Sequence, residues 1–251
     1  YLVLTAFLFI ALNACKQDRD LSQNTVIVHF LAEPSGLHPV IDRTAYSNTI
    51  FQATQKRLIT LDLKSGELVP DALLENPQIL PDSVSYLCKI RGDLFWDNGA
   101  ALSLNDILFT FKAMLAPCAK NAEVKSFFAN LIDIRIPQNS NSEFIIQLKE
   151  RYFDNLLMLS EVVLLQEDFY DPRHELRDYA ISALLSNTIE PQQHATLEAF
   201  CAAFNSSDFG RVPSKMNGLG PYKVSEWQTG SYITLIRKAH VKPDSSRRDK
   251  E

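Results

Sequence analysis

Residues Tyr86–Leu115 read Y-L-C-K-I-R-G-D-L-F-W-D-N-G-A-A-L-S-L-N-D-I-L-F-T-F-K-A-M-L, a hairpin that feeds a helix. Val84, Tyr86, Cys88 and Ile90 alternate with Ser85, Leu87, Lys89 and Arg91, the period-two pattern of a strand with one face on a core. Leu94 to Trp96 is a second short strand, and Asp97-Asn98-Gly99 supplies residues that tolerate positive φ in a sharp turn. Ser103 and Asp106 have the S-x-x-D spacing of an N-cap with an acid in the first turn, where it also opposes the helix dipole. Leu104, Leu108, Phe111 and Leu115 follow at helical spacing, and Pro117 stands just past the end.

The same stretch carries a family resemblance. The ordered run Ala72, Asp82, Tyr86, Arg91, Phe95, Asp97, Gly99, Leu102, Asp106 and Phe109 resembles the signature of the family 5 extracellular solute-binding proteins, the oligopeptide, dipeptide and nickel-type receptors of ATP-driven importers. In that family the segment is similar to A-L-A-E-x-W, Y-x-F-x-L-R-x-x-V-x-F-x-D-G and L-x-A-x-D-V-x-F. Asn76 and Pro77 stand near the family's tryptophan, Cys88 replaces an aromatic, and Asn105 replaces the residue before the helix aspartate.

Working outward, Thr25 to Leu31 reads as a first strand that ends in Glu33-Pro34-Ser35-Gly36-Leu37-His38-Pro39, a loop whose prolines and glycine exclude regular pairing. The loop resembles the family's P-x-x-L-D-P, with His38 where an aspartate is usual; the resemblance implies that it lies at the ligand cleft. Arg43 to Leu58 is predicted as a helix beginning near Thr44, with Ile50, Phe51 and Leu58 inward. Leu58 to Leu63 and Leu68-Val69 flank Lys64-Ser65-Gly66-Glu67, a hairpin signal. Ile132 to Ile136 and Phe144 to Leu148 form another antiparallel pair, Phe153 to Leu159 a short helix, and Val162 to Leu165 a strand. Asp171 to Ser207 is helical by pattern, with Leu176, Tyr179, Ala180, Ala183 and Leu184 on one stripe and Pro191 in a first turn before Leu197, Phe200, Cys201 and Phe204.

Gly218-Leu219-Gly220-Pro221-Tyr222 resembles the family's G-T-G-P-Y. Two glycines beside a proline follow a path open to few residues and leave room for close approach by ligand or a neighbouring segment. Tyr222 to Trp227 and Tyr232 to Arg237 are then strands around the turn Gln228-Thr229-Gly230-Ser231. After Arg237 the family continues N-P-x-Y-W, whereas this chain reads Lys238-Ala239-His240-Val241 and ends in a polar tail.

The 251 residues suffice for one large domain or two small ones, and a net charge of −5 without a basic run before the tail argues against a nucleic-acid partner. Tyr1 to Ala14 is apolar and uncharged, too short for a membrane span of about 20 residues, and suits the core of an export signal. Leu12-Asn13-Ala14-Cys15 resembles a bacterial lipobox, which implies lipidation of Cys15. Cys88, Cys118 and Cys201 remain, an odd number without C-x-x-C spacing. Cys88 alternates with core positions and Cys201 lies on a helical apolar face, so both are read as buried thiols. No zinc-protease helix, G-x-S-x-G, Walker loop or dinucleotide fingerprint occurs. Paired acids such as Glu167 and Asp168 are read as a solvated face.

The expected fold class is α/β: a periplasmic-binding-protein-like (type II) lobe with an additional small α+β subdomain and the second lobe missing. The expected divisions are 1–15 export signal with lipobox, 16–24 tether, 25–60 the opening segment of the first lobe, 61–165 inserted subdomain, 166–237 the segment that returns to the first lobe, and 238–251 a polar tail marking truncation. The resemblance implies a lipid-anchored monomeric receptor at the periplasmic face of the cell envelope. It would bind a short peptide or similar solute, serve ABC permease subunits, use no cofactor or metal, and perform no catalysis. Its ligand-facing residues would be Glu33, Pro34, Ser35, Gly36 and Leu37, with Gly218, Leu219, Gly220 and Pro221. With half of the cleft absent, weak or no binding by this chain is expected. A lipoprotein interaction or scaffold module, or an exported hydrolase, are the alternative classes.

Overall fold

The computed structural model describes residues 25–117, 126–152 and 155–239. The expected export signal, Cys15, the tether, Cys118 and the tail from His240 onward lie outside the described residues. The chain groups into two compact units, 1–31 and 32–251. In the first, residues 25–31 form no regular element, which corrects the strand expected there. Val26, Ile27 and Val28 are exposed, at 86%, 55% and 65%. Three consecutive apolar residues need cover on both faces of a strand, and a bare run of that kind has no reason to stay extended.

The second unit is built around the helix α2, Leu104–Leu115. Ser103 Oγ accepts from the Asp106 N–H at 3.3 Å, and Asp106 Oδ2 accepts from the Ser103 N–H at 2.9 Å, so the expected cap is a complete capping box. Of the expected stripe, Leu104, Phe111 and Leu115 are buried and Leu108 is half-buried, while Ile107, Phe109, Ala113 and Met114 are buried as well. A helix apolar on most sides belongs in the middle of a core.

A four-stranded antiparallel sheet lies in the same core, with order β3, β4, β6, β5: β3 is Gln78–Ile79, β4 Ser85–Lys89, β5 Leu131–Arg135 and β6 Glu143–Leu148. Tyr86 pairs with Ile146 and Cys88 with Phe144, so alternate residues of both strands reach one buried face. Phe111 meets Phe128 edge-on at 5.6 Å. Each such ring contributes roughly 1.5–3 kcal/mol by burial. Before the sheet come α1, Ala45–Thr54, capped by Thr44 as expected, and the hairpin β1, Ile59–Leu61, with β2, Leu68–Pro70. Gly66, at φ 72°, closes that turn. Leu58, Ile59, Ile107, Leu164 and Phe204 share one core cluster, so packing runs unbroken past the divisions expected at 60/61 and 165/166.

Among the described residues, two further expected strands are absent. Leu94 to Trp96 folds forward rather than back on β4: Phe95 bridges Ala101, and Leu102 N–H donates to Leu94 O at 3.0 Å. Ser103 already caps α2, so only three residues are free on the return side. Val162 to Leu165 is buried and extended but only Val163 bridges, to Arg57. Leu164 N–H donates to Lys56 O, while Leu165 N–H donates to Thr110 Oγ1, both at 3.0 Å. Because a helix side chain takes the second bond, no ladder can extend.

The region from Asp171 to Ser207 is helical in pieces. After α3, Asn155–Ser160, and α4, Glu167–Tyr170, come a 3₁₀ turn Glu175–Asp178, α5 Ile181–Ser186, a 3₁₀ turn Pro191–Gln193, and α6 His194–Phe204. Asn187, at φ 55°, ends α5. Leu176, Tyr179 and Leu184 are buried, but Ala180 of the expected stripe is exposed because the helix is interrupted there. Cys88 is free and buried, as expected, whereas Cys201 is disulfide-bonded, which corrects its reading as a thiol. Periodicity locates a buried sulfur but not the sulfur it meets. After α7, Asp208–Arg211, the hairpin β7, Tyr222–Gln228, and β8, Tyr232–Arg237, turns at Gly230 as expected, with a bulge between Val224 and Glu226.

Candidate functional site

The turn at Asp97-Asn98-Gly99 is held from both sides. Gly99 sits at φ 85° and its N–H donates to Trp96 O at 2.9 Å, while the buried Trp96 anchors the hairpin through Nε1–H to Asp106 Oδ2 at 3.2 Å. Asp106 Oδ1 also accepts from the Glu167 N–H at 2.8 Å, bringing the residues around Gln166 beside the turn. Gln166 Oε1 then accepts from Asn98 Nδ2 at 3.0 Å and from Asn217 Nδ2 at 2.5 Å, and Asn217 Oδ1 accepts from the Asp97 N–H at 3.1 Å. This amide ladder draws three distant segments into one rigid wall, because every buried amide in it depends on the others for its partners.

Lys238 completes the wall. It begins the segment expected as a polar tail, yet it is only 4% exposed, and its ammonium pairs with Asp97 and donates to Gly218 O at 2.6 Å. Burial raises the Asp97 carboxyl above its ordinary range despite that partner, and burial lowers Lys238. In both groups desolvation outweighs attraction. Between this wall and the β7–β8 ribbon lies a cleft of about 440 Å³, lined among others by Asp97, Asn98, Met216, Asn217, Lys223 and Ile236. That volume falls within the usual range for small-molecule sites.

The first expected segment, residues 33–37, is mostly packed. Pro34, Gly36 and Leu37 are buried, and Glu33 and Ser35 are exposed. Leu37 N–H donates to Gly210 O, and Ser47 Oγ donates to Gly36 O, both at 2.8 Å. A Cβ on Gly36 would collide with Asp42 Oδ2. His38, in the place of the family's aspartate, is 2% exposed. Its Nδ1 accepts from the Val40 N–H at 3.2 Å, so Nε2 carries the proton and donates to Phe204 O at 2.9 Å. Burial pulls its pKa down to about 4. Glu33 reaches the far hairpin: Trp227 Nε1–H and the Gly230 N–H donate to its carboxylate at 2.5 and 3.1 Å, Arg211 pairs with it at 3.3 Å, and Arg211 stacks on the Trp227 ring at 4.6 Å. The Trp227 hydrogen bond chiefly holds the Glu33 carboxyl below its ordinary value.

The second expected segment, residues 218–221, caps α1. Gly220 N–H donates to Thr54 O at 2.9 Å, satisfying one of the carbonyls a helix end leaves open. A Cβ on Gly218 would collide with Thr54 O, and one on Gly220 with Ala53 O. The close approach read from these glycines is therefore to a helix terminus, and Leu219 is buried. The two expected segments flank opposite ends of α1, Ser47 and Thr54 being about 10 Å apart at the helical rise; only Glu33 crosses to the hairpin that follows the second.

The sequence reading placed no role on Gln166, Asn217, Lys223 or Lys238. A lysine in place of the family's asparagine directly after β8 was the one signal available. Glu167, read as belonging to a solvated face, is buried and ion-paired bidentately with Arg177 at 2.8 and 2.6 Å. Glu167, Asp168 and His174 offer oxygen and nitrogen atoms within 4.8 Å of one another, but Arg177 takes Glu167, and His174 Nε2 lies 2.7 Å from Asp168 Oδ1, so the cluster is satisfied without an ion.

Residues 67–250 match the family model described as bacterial extracellular solute-binding proteins, family 5 Middle. No curated protein matches the chain. Among solved structures, the oligopeptide-binding protein AppA from Bacillus subtilis, in complex with a nonapeptide, is similar at 21% identity and TM-score 0.60, over 84% of this chain and 36% of its own. NikZ from Campylobacter jejuni, in complex with Ni(L-His), is similar at 22% identity and TM-score 0.58, over 83% and 34%. DppA from Helicobacter pylori, an ABC transporter-associated periplasmic binding protein in complex with the peptide STSA, is similar at 15% and 0.61, over 83% and 38%. The chain thus has the expected periplasmic-binding-protein-like fold and spans little more than a third of the length of these structures.

Proposed function

The chain belongs to the bacterial extracellular solute-binding proteins, family 5, and from that premise we propose that it captures a short peptide or similar small solute and passes it to the permease subunits of an ATP-driven importer. The observation that carries this reading is the match over residues 67–250, a span that includes the cleft-lining Asp97, Asn98, Asn217 and Lys223. Such a receptor performs no covalent step. It closes on its ligand, and the ligand favours the closed state only by binding that state more tightly.

Among the expected ligand-facing residues, Glu33 and Ser35 are exposed and Pro221 half-buried; these three are proposed as contacts. Pro34, Gly36, Leu37, Gly218, Leu219 and Gly220 are proposed to hold the backbone from which the contacts are presented. The apolar run Tyr1 to Ala14 before Cys15 supports export and a diacylglyceryl anchor on Cys15 at the periplasmic face. Two acyl chains at about 0.8 kcal/mol per buried CH₂ suffice for stable attachment. The protein acts as a monomer, and the 251-residue chain by itself binds solute weakly.

Native mass spectrometry against a library of short peptides, nickel complexes and opines tests the receptor reading: retention of one solute class is expected. Retention of none, with either substrate turnover or capture of a partner protein instead, overturns it. Calorimetry on the 251-residue chain giving submicromolar binding would overturn the expected weakness. The anchor is tested by Cys15→Ala, which should release the protein from the membrane fraction; persistence there sinks it.

A further inference from the structure

The cleft between the amide ladder and the β7–β8 ribbon has an unequal charge inventory. Among the described residues, Asp97 is the one acid in its lining, and its carboxylate is met by Lys238, whose side chain is 2% exposed. Among the described residues, Lys223 is the one cation in the lining. It is half-buried, and among the described residues its ammonium has no ion-pair or hydrogen-bond partner. Lys223 nevertheless lies close enough to act on both Asp97 and Lys238, so three charges sum locally to one excess positive.

Apart from the exposed Ser214, the remaining polar lining is spent. Asn98 and Asn217 bond into the Gln166 ladder, and Ser225 Oγ donates to Thr234 O at 3.1 Å. The rest of the lining is largely apolar, with Phe169, Met216, Val224 and Ile236, and Ile236 is the cross-strand partner of Lys223 on the ribbon. A small solute entering here meets a single unmatched ammonium with hydrocarbon directly beside it.

We infer that this cleft is a subsite for a small organic anion, with Lys223 receiving a carboxylate and the neighbouring Phe169, Met216 and Ile236 receiving an apolar substituent. The inference rests on the receptor reading and names the chemistry that one portion of its ligand must carry. Charge-assisted hydrogen bonds are roughly twice as strong as neutral ones, so a carboxylate should be preferred to its uncharged amide by about tenfold, the factor that 1.4 kcal/mol represents.

The probes are N-acetyl-leucine and N-acetyl-leucinamide, titrated by amide-resolved NMR into the 251-residue chain. The acid should shift resonances of Asn98, Asn217 and Lys223, the amide should bind about tenfold more weakly, and added salt should narrow the gap. Lys223→Gln should bring the acid to the amide's affinity, while Lys223→Arg should keep most of the preference. Equal binding of acid and amide, or an unchanged preference in Lys223→Gln, overturns the anion subsite and leaves the receptor reading standing. Binding of neither probe, or shifts confined elsewhere, also overturns the subsite; the solute library then judges the receptor reading independently.

Discussion

Lys238, the first residue after β8, is ion-paired with Asp97 in the hairpin turn that precedes α2. The pair joins the chain's last described strand to the element around which its core is built, and the same ammonium holds the carbonyl of Gly218. Since burial shifts both partners toward their neutral forms, the pair offsets a desolvation cost more than it adds stability.

Lys238→Met should therefore destabilise the fold by stranding Asp97, whose side chain is 17% exposed. The expected loss is about 3 kcal/mol, the low end for breaking a buried pair, seen as a lower urea midpoint. Adding Asp97→Asn should recover much of it. A double variant no more stable than the single one would show that the charge pair is not the cause.

His38 sets an acid limit. Its folded pKa is about 4, against about 6.5 when unfolded, so its contribution is fully present above 6.5 and is lost as pH falls from there toward 4. The integrated loss is roughly 3 kcal/mol. Stability measured by urea between pH 7 and pH 4 should fall more steeply in the parent than in His38→Gln; parallel curves would remove His38 as the source.

Gly218→Ala and Gly220→Ala should each cost about 2–3 kcal/mol by overpacking, because the added carbon meets the carbonyls of Thr54 and Ala53, which cannot rotate away from a helix end. Gly92→Ala is the control, as nothing lies within 4 Å of its added carbon. Comparable thermal midpoints for all three variants would contradict the close packing.

Glu33→Gln should loosen the β7–β8 tip with little change in global stability, because the carboxylate is exposed. The readouts are a red shift of Trp227 emission and faster exchange of the Gly230 amide. Since the folded Glu33 pKa is depressed, the parent should show the same loosening as pH falls through that value, with the contact intact above the ordinary carboxylate range. Unchanged emission would refute the tether.

Much of the chain's local structure was legible. Ser103 and Asp106 announced the α2 cap, Thr44 the start of α1, and Gly66, Gly99 and Gly230 the turns, because each acts within a few residues of itself. The candidate site was half legible. The Asp97-Asn98-Gly99 turn and the glycines at 218 and 220 were singled out, but Gln166, Asn217, Lys223 and Lys238 carry no local signal, since their roles exist only when four separate segments meet.

By itself, then, the sequence determined the capped helix, the antiparallel pairs β1–β2, β5–β6 and β7–β8, the turn residues and, through ordered motifs, the family. Tertiary structure alone decided that Leu94 to Trp96 folds forward, that Thr110 takes the Leu165 hydrogen bond and stops a strand, that Cys201 is in a disulfide, and that Lys238 is buried on Asp97. The physical reason is range. Periodicity, caps and turns record each residue's exposure and backbone torsions, whereas the partner of a buried charge, sulfur or amide is chosen by which distant segment the packed core brings within about 3 Å of it.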